Sequence, residues 1–179
     1  MLSIYFLLCY YLIHQREKSM LEKQLLDKLF EYKDGVLYRK IAVNRMPAGV
    51  KAGVLRKSDG YIHIRIKGKK YLAHRLIFFM FYGFMPKNID HINNNRLDNS
   101  ILNLRAASDS ENRQNSKSRT DNTSGIKGVS WYNRLNCWRV QIGLNKKIKH
   151  IGYFIDLDLA ELVAIEARNK YHGVFANHA

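Results

Sequence analysis

The sequence predicts an α+β protein that consists of two small domains. Short segments with period-two alternation come before the predicted helices at 73–82 and 156–170, as in small antiparallel sheets. A polar and basic stretch at residues 113–124 contains no apolar side chain, which is typical of a flexible linker. We therefore expect an apolar extension at 1–19, a first domain at 20–116, a linker at 117–123 and a second domain at 124–176.

The composition indicates a polyanion as partner. Thirty Lys and Arg against fifteen Asp and Glu give the 179 residues a formal charge of +15. Nucleic acid is the commonest partner of such a chain, and a ribosome-like or merely soluble basic protein is the alternative. Cys9 and Cys137 lie too far apart for a disulfide framework or a zinc ribbon. We expect no structural zinc and a reducing compartment, the cytoplasm.

The first thirteen residues are apolar and uncharged. They are too few to span a bilayer and lack the positive start and cleavage site of a signal peptide, so we expect no stable membrane association. A helical stripe of leucines begins just after Met20, which favours a start codon assigned too early. An extra packed helix or strand and a weak interfacial anchor stay open as alternatives.

Two elements of the first domain follow from their patterns. After Asp59 and Gly60, three isoleucines at positions 62, 64 and 66 alternate with basic side chains, which predicts a strand with one buried face. The apolar block at residues 73–82, followed by Gly83 and Pro86, predicts a buried helix.

The segment from residue 90 to residue 112 has the composition of a functional site. Short apolar pieces flank an Asn-rich turn, which predicts a hairpin or a tight loop. Ser108 and Glu111 have the capping-box spacing, so a helix should begin at Asp109 and carry Asn112 in its first turn. Strand, turn, strand and helix start would then bring Asp90, His91 and Asn112 together.

Metal-assisted hydrolysis of a phosphodiester is the chemistry that these three side chains suit. Carboxylate and carboxamide oxygens are hard ligands for Mg²⁺ or Mn²⁺, and two protein ligands leave positions for phosphate oxygens and water. An imidazole can take a proton from an attacking water near neutral pH. We therefore predict Asp90, His91 and Asn112 as catalytic residues.

Asp90-His91, the Asn103-Leu104-Arg105 run and Asn112 at the helix start together resemble the ββα-metal (His-Me finger) motif of HNH endonucleases, especially phage and intron-type homing enzymes. The resemblance implies that Asp90 and Asn112 hold one Mg²⁺ or Mn²⁺ ion and that His91 activates water. It gives Asn103 a structural role in tying the loop together. Asn at position 112 replaces the His of many relatives, a variation that the family also contains.

DNA contacts are expected from basic side chains around this motif. The residues predicted to bind DNA in the first domain are His74, Arg75, Arg105 and Arg113. His74 belongs to a His-Arg-Leu run similar to one that recurs in the HNH family. The other open interpretation of it is a hydrogen-bonded, partly buried histidine.

The last fifty residues carry a second resemblance. The Ser124-Gly-Ile-Lys-Gly-Val-Ser-Trp131 run, the Trp-Arg-Val-Gln-Ile run at 138–142 and the His-Ile-Gly-Tyr-Phe run at 150–154 look like the Apetala-two or ethylene-response-factor DNA-binding domain. The family implies a three-stranded antiparallel sheet packed on one helix, with the sheet in the major groove. Ser130 and Tyr132 stand where arginines are common in the plant family, so its target sequence cannot be transferred.

The residue pattern of this block agrees with that fold. Three short strands come before a helix at residues 156–170, whose face toward the sheet is predicted from a recurring apolar set: Leu159, Ala160, Leu162, Val163 and Ala167. Strict alternation makes Trp138 a core residue. One face of the sheet is predicted to bind DNA through Lys127, Trp131, Arg134, Arg139, Gln141 and Lys149.

The sequence therefore predicts a metal-dependent DNA endonuclease of the HNH homing type that acts on double-stranded DNA. A DNA-binding regulator with an inactive nuclease fold is the first alternative. An RNA-binding or structural basic protein would explain the charge but not the clustered polar site. The sequence fixes neither the oligomeric state nor the number of strands cut.

Overall fold

The chain forms a mixed α+β structure with small antiparallel sheets, which confirms the predicted class. This computed structural model describes residues 22–43, 45–118 and 121–178. The apolar extension at 1–19 and the alternatives for it lie outside the described residues. None of the helices in the described ranges is long and apolar enough to cross a membrane.

Two compact units divide the chain, one that ends at Arg105 and one that begins at Ala106. This division lies before the helix that begins at Asp109, whereas the sequence predicted a linker after it, at 117–123. The functional boundaries at 20–116 and 124–176 stay predictions.

In the residues that the structure describes, the first unit contains two α-helices, a hairpin, a three-stranded sheet and a further strand. Helix α1 covers residues 22–29 of the described chain. The following elements are β1 (Phe30–Lys33), β2 (Val36–Arg39), β3 (Val54–Arg56), β4 (Tyr61–Ile66), β5 (Lys69–Leu72), α2 (Ala73–Tyr82) and β6 (Asn88–His91). β1 pairs with β2, and β4 lies between β3 and β5. A 3-10 turn at Ile101–Asn103 leads into β7 (Leu104–Ala107), which pairs with β6.

Helix α2 packs in the core of this unit, as its apolar sequence predicted. Ile77 on the helix and Ile64 on β4 are both fully buried, and the other two isoleucines of β4 pack on the same core. The helix ends at Gly83, whose φ of 71° lets its N–H bond to the carbonyl of Phe79. The predicted strand and the predicted helix are confirmed, and together they support β6, which follows α2 directly.

The second unit contains a three-stranded antiparallel sheet and two helices. Its elements are α3 (Asp109–Gln114), β8 (Val129–Tyr132), β9 (Cys137–Leu144), β10 (Lys147–Phe154) and α4 (Leu157–His172). β9 is the central strand. Val129, Val140, Ala160 and Ala164 form the centre of a small core between the sheet and α4, and Trp138 packs at its margin as predicted.

The buried face of α4 differs from the predicted one. Ala160, Ala164 and Ala167 are buried, whereas Leu159 is 49% exposed and Leu162 is 61% exposed. Alanines at this spacing form one helical face, and their small side chains let the helix approach the sheet closely. The two leucines were therefore wrongly assigned to the face toward the sheet.

Candidate active site

Asp90 and His91 lie at the end of β6, and both are buried although both are polar. Asp90 is 6% exposed and His91 is 5% exposed. Buried ionisable groups require partners, since an unpaired charge in the interior is costly. The partners of these two side chains therefore define the site.

His91 pairs with a buried carboxamide. Its Nε2 lies 2.9 Å from Oδ1 of Asn99, and Asn99 is only 2% exposed. A carboxamide oxygen can only accept a hydrogen bond, so the Oδ1 assignment places the imidazole proton on Nε2. In the neutral ring the basic lone pair then belongs to Nδ1. Asn99 was not among the predicted site residues.

Asp90 pairs with Arg105 across β6 and β7. The Nε and Nη2 atoms of Arg105 both lie 2.8 Å from Oδ2 of Asp90, so the guanidinium donates two hydrogen bonds to one oxygen. Charge-assisted bonds of this kind are short and fix geometry. The guanidinium thus holds the carboxylate, while the predicted role of Arg105 as a DNA contact stays a prediction.

The Asn-rich loop between β6 and β7 is closed by the side chain of Asn103. Its Oδ1 accepts from the backbone N–H of Asn93, and its Nδ2 donates to the carbonyl of Asp98 and to Oδ1 of Asn93. Ser100 donates through its backbone and its side chain to Asp98, which lowers the pKa of that carboxyl below its usual value. These bonds fix the loop that carries Asn99, and thereby the partner of His91.

His74 lies in the interior beside the site. It is 5% exposed, and its ring centroid lies 5.0 Å from that of His91 and 5.0 Å from that of Tyr61. Burial, followed by the charges of His91, Arg75 and His63, lowers its pKa to about 3. His74 is therefore neutral at physiological pH. This burial favours the interpretation as a packed histidine over that of a phosphate contact.

A further set of contacts holds the ring and the backbone of Tyr61, which lies beside His74. The guanidinium of Arg96 lies 4.9 Å from the centroid of the Tyr61 ring and donates to the carbonyl of Asp59. The Asp59 carboxylate accepts from the Tyr61 N–H and lies 2.9 Å from Nε2 of His63. The backbone bond from Tyr61, assisted by His63 and Arg56, lowers the pKa of Asp59. Sequence reasoning missed this cluster, because Arg96 is 37 residues from Asp59 along the chain.

Arg75 binds the segment that leads into β6. Its two terminal nitrogens donate to the carbonyls of Lys87 and Pro86 at 3.2 and 3.1 Å. The guanidinium thus fixes the turn after α2, and the predicted DNA contact of Arg75 stays a prediction.

Helix α3 begins as predicted. Ser108 and Glu111 form a complete capping box, with the Ser108 Oγ accepting from Glu111 N–H and the Glu111 carboxylate accepting from Ser108 N–H. Asn112 and Arg113 are exposed on this helix. Because α3 belongs to the second unit, the predicted joint role of Asn112 with Asp90 and His91 stays a prediction.

The six residues predicted on one DNA-binding face of the sheet do not share that face. Arg139 and Gln141 alternate with Val140, so they lie on the side away from α4. Trp131 pairs with Trp138, and Lys149 pairs with the buried Ile142, which places both on the side toward α4. Strict alternation along each strand could not give the register between strands.

Three residues of the predicted DNA-binding set have different surroundings: Lys149, Lys127 and Arg134. The ammonium of Lys149 lies 4.3 Å from the centroid of the Tyr171 ring on α4. Lys127 is half-buried, with Nζ donating to the carbonyls of Gln114 and Ser116. Burial, followed by the charge of Arg168, lowers its pKa to about 8. Arg134 is exposed in the turn between β8 and β9.

No group of three or more His, Cys, Asp or Glu that could hold a metal occurs within the described ranges. A site of one carboxylate and one carboxamide would not form such a group. Both side chains offer oxygen donors, and Mg²⁺ is typically held by one or two carboxylates together with waters and substrate phosphates. The predicted donor set therefore fits this ion.

Comparison with known proteins identifies the family. Residues 71–114 match a family model described as HNH endonuclease, and this range includes Asp90, His91 and Asn112. Over 98 residues the chain is 40% identical to Protein 3.8 of Escherichia phage T7, which covers 52% of this chain and 78% of that protein. No solved structure matches the chain. The chain therefore belongs to the family of phage T7 Protein 3.8 and carries an HNH endonuclease domain.

Proposed function

We propose that the protein is a metal-dependent DNA endonuclease of the homing type, in which His91 acts as the general base. One observation carries the proposal, namely the hydrogen bond between Nε2 of the buried His91 and Oδ1 of Asn99. It defines one tautomer of the imidazole within the range that matches the HNH family. A base with a defined tautomer and orientation is what water activation requires.

In this proposal, Nδ1 of His91 takes a proton from a water that attacks phosphorus in line. Asn99 keeps the ring in place throughout, because its Oδ1 accepts a hydrogen bond from Nε2–H both before and after Nδ1 is protonated. A positioned base contributes typically ~10²- to 10⁴-fold to the rate of such a reaction.

Asp90 and Asn112 are the proposed ligands of one divalent ion, Mg²⁺ or Mn²⁺. When bound, such an ion supplies positive charge that stabilises the pentacovalent phosphorus and the leaving 3′-oxygen. The Asp90 carboxylate is held in one orientation by Arg105, so its position is fixed before any ligand arrives. Asn103 is the proposed structural residue of the site loop, in line with its three loop hydrogen bonds.

We propose double-stranded DNA as the substrate, with recognition by an Apetala-two-like sheet in the second unit. The charge distribution supports this, since residues 113–150 contain nine Lys or Arg and one acidic residue. Arg139 and Gln141 lie together on the sheet face away from α4, where they can contact base edges or phosphates. The other proposed contacts are Arg75 and Arg105 in the first unit and Arg113, Lys127, Trp131, Arg134 and Lys149 in the second. Of these, Trp131 and Lys149 lie on the side of the sheet toward α4.

Cleavage of supercoiled plasmid that carries the encoding locus tests the proposal. Wild-type protein should cut in Mg²⁺ and not in EDTA, and Asp90→Ala and Asn112→Ala should each lose cutting while retaining binding in gel shifts. Asn169→Ala, which removes an exposed carboxamide from α4, serves as control and should cut normally. If wild-type protein binds DNA but does not cut it in the presence of any divalent ion, the protein is a DNA-binding regulator with an inactive nuclease fold.

A further inference from the structure

A cavity of about 290 Å³ in the second unit is lined by basic side chains. It lies between α3, the turn from β9 to β10 and the end of α4. We call it the basic pocket, after its four cationic lining residues Arg113, Lys127, Lys146 and Lys147. His172 also lines it, and burial lowers the pKa of that imidazole below its usual value. None of its lining residues is acidic. Such an accumulation of like charge disfavours the empty pocket and favours the binding of an anion.

Two walls of the basic pocket are fixed by hydrogen bonds. Lys127 donates two of its three ammonium hydrogens to the carbonyls of Gln114 and Ser116, which leaves one for a further acceptor. His172 donates from Nε2 to the carbonyl of Gly143 at 2.8 Å, which joins the end of α4 to β9. The pocket is therefore formed before any ligand binds.

Behind Lys127 lies a second buried cation. Arg168 is 3% exposed, and its Nη1 donates to the carbonyl of Lys127. Its Nε donates to Nδ1 of His178, so its close partners are neutral. In the part of the chain that the structure describes, no ion pair within 4.0 Å neutralises Lys127 or Arg168, although Glu161 acts on Arg168 at longer range.

Lys146 occupies a backbone position that favours glycine. Asn145 and Lys146 form a two-residue turn with φ of 50° and 65°, between Leu144 and its partner Lys147. Turns of this type prefer Asn followed by Gly, because a side chain at positive φ is disfavoured. The turn places one more ammonium group at the pocket.

We propose that the basic pocket binds a phosphate group, and that this phosphate belongs to the backbone of the DNA. Convergent Lys and Arg side chains match the charge and the acceptor oxygens of phosphate. The choice of DNA over free phosphate rests on the proposed function, whereas the phosphate chemistry rests on the pocket alone.

The Lys146→Gly variant tests phosphate binding by the pocket without destabilising the folded protein. It removes one charge from the pocket and relieves the positive φ, so the variant should melt at the same temperature as wild type or higher. Lys67→Gly is the matched control, since it also removes one lysine at positive φ, in the turn between β4 and β5. Both variants therefore lose the same charge and gain the same backbone freedom.

The affinity for uncut DNA duplex, measured in EDTA over a range of salt concentrations, gives the test. Loss of one phosphate contact should reduce the slope of log K against log salt by about 0.9, and thus weaken binding roughly eightfold at about 0.1 M salt. We expect this change in Lys146→Gly and not in Lys67→Gly. Equal affinity and equal slope in the two variants would overturn the DNA assignment.

The effect of inorganic phosphate on the melting temperature shows whether the basic pocket binds a phosphate of the DNA backbone or free phosphate. If phosphate raises the melting temperature of wild type but not of Lys146→Gly, while DNA binding is equal in both, the pocket takes free phosphate. If neither phosphate nor DNA distinguishes the two proteins, the pocket binds no phosphate at all. These measurements do not involve cleavage, so an inactive nuclease would leave the proposal intact.

Discussion

The chemistry of His91 depends on one neighbouring carboxamide. Asn99 accepts from its Nε2 at 2.9 Å, and the ring of His74 packs against the imidazole from the interior. The first contact selects the tautomer, and the second restricts the ring plane. A histidine on the surface of a loop would have neither constraint, so the strand position of His91 is part of its proposed function.

His74 should make the folded protein sensitive to acid. Its pKa is about 3 in the folded state against 6.5 in the unfolded chain, so the unfolded state takes up the proton first as the pH falls below 6.5. Stability is therefore fully present above pH 6.5 and declines toward pH 3, by at most about 1.4 kcal/mol per pH unit. His74→Gln and His74→Phe should both flatten this dependence. Urea unfolding between pH 4 and 7 measures it, and an unchanged slope in both variants would show that His74 is not the group responsible.

Replacing Arg105 should reveal whether Asp90 binds a cation. In Arg105→Met the buried carboxylate loses its guanidinium, which should destabilise the protein by about 3–5 kcal/mol. Mg²⁺ should then raise the melting temperature more in the variant than in wild type, because the ion replaces the lost charge.

Arg65→Met is the control for this measurement, since it removes an exposed arginine from β4. It should melt close to wild type with the same response to Mg²⁺. If Mg²⁺ had no greater effect on Arg105→Met than on this control, Asp90 would not be a metal ligand.

Sequence reasoning found Asp90 and His91 as candidates, since a carboxylate beside an imidazole in a polar segment is rare in a core. It could not find the partner of His91, because several asparagines in the segment have the same chemistry. Only folding distinguishes Asn99, which is 2% exposed, from Asn93, which is exposed on the loop. The pairing of Asp90 with Arg105 likewise depends on the register of β6 against β7.

For the secondary-structure elements, local sequence signals were sufficient to predict where α3 begins and where α2 ends. The capping box at Ser108 and the glycine at position 83 mark helix ends through hydrogen bonds within a few residues, so the sequence contains all that they need. Contacts between elements are different. The faces of the sheet in the second unit depend on which residues pair across strands, and the sequence alone did not give that pairing.

The alanine face of α4 should not tolerate a larger side chain. Ala164 is 2% exposed against the sheet, so Ala164→Leu should destabilise the protein by about 1–3 kcal/mol through overpacking. Leu162→Ala, on the exposed side of the same helix, should change stability by less than about 0.5 kcal/mol. Chemical denaturation of the two variants gives both values. A larger loss in Leu162→Ala than in Ala164→Leu would reverse the assignment of the faces.

For the molecule as a whole, positive charge is distributed over both units. The unit that ends at Arg105 contains Asp90 and His91 and has nineteen Lys and Arg against eight Asp and Glu, and the run at 113–150 in the other unit has nine against one. The match to the HNH family at 71–114 extends over both. Net charge predicted the class of partner from composition alone, because long-range electrostatics depends little on the fold.

The central claim is that His91 is the base of a DNA cleavage reaction. The direct test is the single-turnover rate of plasmid cleavage in Mg²⁺ at saturating protein, for wild type and His91→Ala. We predict a loss of at least about 10²-fold in the variant, with gel-shift affinity for the same DNA unchanged. A His91→Ala protein that cuts at the wild-type rate would contradict the account.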